Sequence, residues 1–233
     1  MDLTARMDPI DLRDDISRLR YRMPFAGAVT TAAIAGVLLC PVASWAQGRP
    51  GPGPAHATFV PARDPGPAAR GMLGIEFAGT VAPEAWNLNG NHEWMFDGTV
   101  GVWWAYREGR TFGVEFHAVA VTQERPRNAF LNALTPVFRC RVWQGRRSTM
   151  FLEFGGGFSW SDAPVPPRGT RLNYLTMTSA GFTRRLSAQA HAVASVRWLH
   201  LSNASLEGRD RNPDIEAIGG FIGVSIGFPA AGR

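Results

Sequence analysis

The stretch Ser148-Thr149-Met150-Phe151-Leu152-Glu153-Phe154-Gly155-Gly156-Gly157-Phe158-Ser159-Trp160 has two unlike sides. Counted by twos, Met150, Leu152, Phe154, Phe158 and Trp160 fall together, and Glu153, Gly155, Gly157 and Ser159 fall opposite them. Successive side chains of a pleated chain point to opposite faces, so a period of two over this length reads as a β-strand. The bulky side is apolar and aromatic, while the other side is small and polar. A soluble barrel turns its apolar side inward and needs a polar exterior. Bulk outside and small polar groups inside instead describe a strand whose outer face meets lipid.

The same pattern recurs along the chain. Strands are expected near 71–79, 94–106, 111–123, 131–143, 148–160, 172–184, 189–203 and 214–228. Phe112, Val114, Phe116 and Ala118 oppose Glu115 and His117, and Phe96, Val100, Val102, Trp104 and Tyr106 oppose Asp97, Thr99 and Arg107. The fourth strand fits less well, because Pro136 interrupts it. The connections at 107–110, 144–147 and 185–188 are short; those at 80–93, 124–130, 161–171 and 204–213 are longer and rich in polar residues, Pro and Gly. An even number of strands, joined by short turns at one end and long loops at the other, is the arrangement of bacterial outer-membrane barrels. The expected fold is therefore all-β, an eight-stranded antiparallel transmembrane barrel. Closure satisfies every backbone amide that hydrocarbon would otherwise leave unpaired.

Composition narrows the partners. All 24 basic residues are Arg, and the formal charge is +5. No basic stripe with interleaved stacking aromatics appears, so nucleic acid is not the expected partner. Guanidinium groups clustered at turns suit anionic lipid, whose phosphates they pair with bidentately. The two cysteines, Cys40 and Cys140, provide neither a disulfide framework nor a metal cluster. Residues 24–39 (PFAGAVTTAAIAGVLL) form a short apolar run after Arg18, Arg20 and Arg22, followed by Ser44-Trp45-Ala46. Residues 1–46 are thus expected to be a secretory signal peptide cut after Ala46. Residues 47–70, rich in Pro, Gly and Ala, are expected to form a linker, and 71–233 the barrel domain.

The seventh strand ends in Trp198-Leu199-His200-Leu201-Ser202-Asn203-Ala204. Ala190, Ala192, Ala194, Val196, Trp198, His200 and Ser202 share the more uniformly apolar face, so His200 and Ser202 terminate a lipid-facing stripe. Polar groups facing lipid are costly unless they have partners and a function. In the eighth strand, Glu216 alone breaks the run Ile218, Gly220, Ile222, Val224, Ile226 and Phe228. The hairpin between the strands brings Glu216 beside His200 and Ser202 at outer-leaflet depth. A serine hydroxyl attacks only when an imidazole takes its proton, and a carboxylate orients that imidazole. Residues two apart along a strand lie about 6.5–7 Å apart at Cα, from a ~3.3 Å rise, so the two side chains must lean together. Asn203 is a candidate donor to the oxyanion, and Asp214 the alternative acid to Glu216. A capping His and Ser at a barrel rim, satisfied by water, is the competing interpretation.

His200-Leu201-Ser202-Asn203-Ala204, followed by Asn212-Pro213-Asp214-Ile215-Glu216 and a terminal strand, resembles the lipid A 3-O-deacylases of the PagL type, an acyloxyacyl hydrolase family. Phe151 to Gly157, and Val165-Pro166-Pro167-Arg168-Gly169-Thr170-Arg171-Leu172-Asn173, are also similar to members of that family. The resemblance covers roughly residues 71–228. It implies a Ser-His-Glu esterase acting on lipid A, in the outer leaflet of a Gram-negative outer membrane. Ser202 becomes the nucleophile, His200 the base, Glu216 its partner and Asn203 part of the oxyanion site, with no metal or cofactor. Arg168 and Arg171 are candidate contacts to lipid A phosphates, and a second copy of the chain is a candidate partner. The alternative function is a non-catalytic barrel with a structural or adhesion role.

Overall fold

The computed structural model describes residues 70–86, 92–123 and 127–229. The expected signal peptide and nearly all of the expected linker lie outside these residues. Eight strands run β1 (Met72–Pro83), β2 (Trp94–Arg107), β3 (Arg110–Thr122), β4 (Ala129–Gln144), β5 (Ser148–Val165), β6 (Thr170–Arg185), β7 (Ala190–Ser202) and β8 (Ile215–Pro229). Each pairs antiparallel with its neighbours, and β1 pairs with β8 from Met72↔Pro229 to Val81↔Gly220, which closes the barrel. The turns at 108–109, 145–147 and 186–189 share an end with both strand termini, which makes it the periplasmic end.

β1 and β5 run furthest past their expected outer ends. β1 reaches Pro83, with Glu84 bridging to Ala217 beyond it, and β5 continues to Val165. The prolines at 164, 166 and 167 look like loop signals, but the ladder persists past an irregularity between Trp160 and Val165. Asp162 Oδ1 accepts the Phe130 N–H at 2.8 Å, and Gln123 Nε2 donates to the Arg127 and Pro164 carbonyls. These bonds hold the extension together above the membrane. Pro136 does sit within β4. The ladder to β5 passes from Leu134↔Phe158 to Val137↔Gly155 without assigned pairs between, because proline has no N–H to donate. Gly157 lies so close there that a Cβ would run into the Leu134 carbonyl.

The faces sort as the alternation predicts. Phe77, Val100, Phe112, Phe116, Phe158 and Ile222 are outward and exposed, with Trp94 and Trp160 toward the outer end and Trp104 and Trp143 toward the inner one. The interior is only partly the small polar space the sequence suggests. Its outer half is packed with Met95, Val119, Leu131, Leu175, Leu199, Leu201 and Ile215. Eight strands leave room for side chains but no channel, and a charge fits there only beside its counter-charge.

Those charges are concentrated lower down. Arg197, fully buried, donates to Glu115 Oε2 at 3.1 Å and Glu153 Oε1 at 2.7 Å, with its guanidinium 3.9 Å from the Phe221 ring centroid. Arg139 joins Glu153 to Glu76 and lies between the rings of Trp103 and Phe151. His117 meets Asp97 at 2.9 Å through Nδ1 and Thr135 at 2.8 Å through Nε2. The network links β1 to β5 and β7 through the lumen, so the barrel is tied across its width as well as around its wall.

A second acidic group lies at the rim. The Glu84 N–H donates to the Glu93 carbonyl at 2.8 Å, and the Ala85 N–H donates to the Glu216 carbonyl at 2.6 Å. Burial, reinforced by the adjacent Glu93 carboxyl, pushes the Glu84 carboxyl from 4.5 up to about 8.

Three outcomes follow. Arg197→Met removes the guanidinium that Glu115 and Glu153 share, leaving Glu115 only His117 at 3.4 Å, and should cost about 3–5 kcal/mol in urea unfolding from detergent micelles. Arg141→Ala, whose partner Glu108 is mostly exposed, should cost no more than about 1 kcal/mol. Glu84, with its folded pKa raised, holds a proton that the unfolded chain gives up. Its stabilisation is complete below 4.5 and is lost as pH rises through about 8. The thermal midpoint of the wild type should therefore fall on going from mildly acidic to alkaline buffer, and that of Glu84→Gln should fall less.

Candidate active site

His200 and Glu216 are direct cross-strand partners in the β7–β8 ladder, both on the outer face. Residues opposite each other in an antiparallel pair have Cβ atoms about 4.5–5.5 Å apart, within reach of an imidazole and a carboxylate. His200 Nδ1 lies 2.7 Å from Glu216 Oε1, and His200 Nε2 lies 2.9 Å from Ser202 Oγ. The imidazole and hydroxyl have leaned toward each other, as the spacing along the strand requires. Their order, Ser202 Oγ to Nε2 and Nδ1 to carboxylate, is the one that lets an imidazole act as base while a carboxylate fixes its tautomer. Ser202 is 7% exposed, and the His200 and Glu216 side chains 15% and 16%.

Both Glu216 oxygens are engaged. The Trp198 Nε1–H donates to Oε2 at 2.6 Å, and the Trp198 ring stacks on His200 with centroids 5.9 Å apart. The sequence reading places Trp198 on this face but gives it no role. Its signal is an indole N–H on a lipid-facing stripe, a donor that needs an acceptor in hydrocarbon. Asp214 is also near, and one ligand atom each from His200, Asp214 and Glu216 lies within 4.8 Å of the others.

Asn203 is placed differently from the expectation. Its side-chain amide donates to Arg211 O at 2.6 Å and Thr170 Oγ1 at 3.2 Å, and its Oδ1 accepts the Ser205 N–H at 2.9 Å. Its own N–H donates to Asn212 Oδ1 at 2.8 Å. Both donors that could meet an oxyanion are therefore committed to holding the 203–214 loop, and Asn203 is 2% exposed. Ala204 and Ser205 follow with φ of 52° and 61°, a left-handed turn that residues bearing a Cβ adopt at a cost. The cross-tie between Asn203 and Asn212 holds that turn directly after Ser202. The sequence reading includes Asn212 in the family-like run but gives it no role of its own.

Arg168 and Arg171 are both exposed, Arg168 in the turn between β5 and β6 and Arg171 at the start of β6. Thr170, between them, is the residue that contacts Asn203, and Tyr174 of β6 pairs with Ser202. The two guanidinium-bearing residues thus belong to the strand connection adjoining the outer end of β7. Glu115, His117 and Glu153 belong to the interior network, on the opposite face of the wall from Ser202.

Among solved structures, the crystal structure of the outer membrane enzyme PagL is similar at 20% identity, over 65% of this chain and 98% of that one, with a TM-score of 0.48. The outer membrane protein OprG from Pseudomonas aeruginosa is 12% identical over 68% and 96%, with a TM-score of 0.46. A de novo designed transmembrane β-barrel is 13% identical over 68% and 97%, with a TM-score of 0.41. None of the curated proteins matches the chain. The sequence model of the family described as lipid A 3-O-deacylase (PagL) matches residues 72–225, from the start of β1 well into β8. With that span, more than half of its length, the chain belongs to the PagL family of outer-membrane lipid A deacylases, which are carboxylic ester hydrolases.

Proposed function

We propose that this protein hydrolyses the 3-O-linked hydroxyacyl ester of lipid A, with Ser202 as nucleophile, His200 as general base and Glu216 as its orienting acid. The observation that carries the reading is the unbroken pair of hydrogen bonds from Ser202 Oγ through His200 to Glu216, on the lipid-facing surface. Residues 1–46 would act as the export signal and 47–70 as the linker ahead of the barrel domain.

Ser202 Oγ attacks the ester carbonyl carbon as His200 Nε2 takes its proton. The imidazolium is stabilised by Glu216, whose carboxylate is held by the Trp198 indole. Collapse of the tetrahedral intermediate expels the sugar oxygen, which receives the proton from Nε2. Water, activated by the same nitrogen, then releases the hydroxy fatty acid from Ser202. With the Asn203 donors holding the loop, the oxyanion is assigned to the backbone N–H of Ala204, two residues past Ser202. Arg168 and Arg171 suit the phosphates of lipid A, which a planar guanidinium pairs with bidentately.

Mass spectrometry of lipid A from cells producing the wild type should show loss of one hydroxyacyl mass, and cells producing Ser202→Ala no loss. If neither alters lipid A while both reach the outer membrane folded, the non-catalytic barrel takes over. Glu216→Gln should lower kcat by roughly 10³-fold or more, as expected when the base loses its tautomer. Asp214→Asn, if it is not the acid, should cost less than about tenfold. Trp198→Phe should lower kcat by about tenfold with little change in KM, since it releases the carboxylate without touching substrate.

A further inference from the structure

The lipid-facing site holds one carboxylate more than the proposed hydrolysis uses. Asp214 offers an oxygen within 4.8 Å of ligand atoms of both His200 and Glu216, in a partly exposed patch where β7 and β8 meet the outer loop. The nitrogen turned toward these carboxylates is Nδ1, since Nε2 faces Ser202. One imidazole nitrogen with two carboxylate oxygens is a donor set for Zn²⁺; Ca²⁺ and Mg²⁺ take oxygen ligands. Zinc–ligand bonds of about 2.0–2.2 Å place tetrahedral ligand atoms roughly 3.3 Å apart, so the three need shift by no more than about 1.5 Å to share one ion. The Trp198 indole fixes the Glu216 carboxylate as an outer partner fixes a metal ligand.

We propose that His200, Asp214 and Glu216 form an inhibitory Zn²⁺ site that switches the esterase off by locking the His200 tautomer. The inference rests on the Ser202–His200–Glu216 reading of the site. In the active arrangement Nδ1 carries the proton given to Glu216, and the Nε2 lone pair awaits the serine proton. Zn²⁺ takes the Nδ1 lone pair, and the ring's proton moves to Nε2. That nitrogen then donates toward Ser202 Oγ and has no lone pair with which to activate it. No electron is transferred and no covalent bond to carbon changes, so removing the metal restores the base.

The test uses the full-length protein in detergent micelles, with Co²⁺ as a visible-absorption probe and Zn²⁺ as inhibitor. The wild type should bind one Co²⁺ per chain with the intense absorption of a tetrahedral ion, displaceable by Zn²⁺ and lost in His200→Ala. Saturating Zn²⁺ should bring lipid A hydrolysis below about a tenth of the metal-free rate, with recovery on adding a chelator and no effect of equal Ca²⁺. Asp214→Ala should need at least about tenfold more Zn²⁺ to lose half of its own metal-free rate, whatever that rate is. Zinc sensitivity unchanged in Asp214→Ala, equal inhibition by Ca²⁺, or an absence of zinc inhibition would overturn the proposal. If the metal-free wild type fails to cleave lipid A, it is the esterase reading that has failed. The Co²⁺ absorption, and its loss in Asp214→Ala, then still decides whether the metal site exists.

Discussion

Hydrocarbon offers no partner to a backbone amide, and that constraint organises the molecule. It obliges β1 to return to β8, and once the ring of eight strands is closed each ladder has a definite register. A one-residue slip between β7 and β8 would send Glu216 to the interior and leave His200 facing an apolar neighbour. The facing pair at the outer end of those strands is therefore a consequence of how the wall is sealed. The ion pairs in the lumen serve the same end. Arg139 and Arg197 draw together carboxylates from β1, β3 and β5 and hold the circumference to one shape.

Polarity is distributed by cost. Inside, each described charge in the lower half sits against an opposite charge or a hydrogen-bonding partner, while the upper half is filled with aliphatic side chains. Outside, apolar side chains cover most of the wall. The patch of Trp198, His200, Ser202 and Glu216 departs from that rule, with its polar atoms hydrogen-bonded to one another. Low dielectric strengthens each of those bonds, and the same low dielectric would make any one of them, left single, expensive.

Much of this was legible in the sequence, because a period of two carries both the strand and the face. The alternation in 148–160 identified inner and outer residues correctly, and the apolar stripe broken only by Glu216 pointed to its place beside His200. What was not legible depends on distances that a linear pattern does not encode. Leu199, Leu201 and Ile215 face inward and pack with Met95, Val119, Leu131 and Leu175 in the outer half of the lumen. β5 runs on through a proline-rich stretch because Asp162 and Gln123 supply bonds that local propensity does not foresee. Asn203 sits beside Ser202 in sequence, yet its donors are turned into the loop, and only the position of Asn212 and Arg211 explains why. Trp198 could have been read as a donor in search of an acceptor, but an interfacial tryptophan ordinarily finds one in headgroups.

A Ser202–His200–Glu216 patch on the outer wall changes what concentration means for this protein. A substrate that is itself a constituent of the leaflet arrives by lateral diffusion, at a mole fraction set by the membrane. Nothing has to be lifted into a cleft, and tight recognition would bring little gain where the substrate is already abundant. Turnover would then depend on orientation and on how freely neighbouring lipids can slide past the barrel. Packing of the leaflet, and the ions that stiffen it, would control such a protein as much as any residue within it.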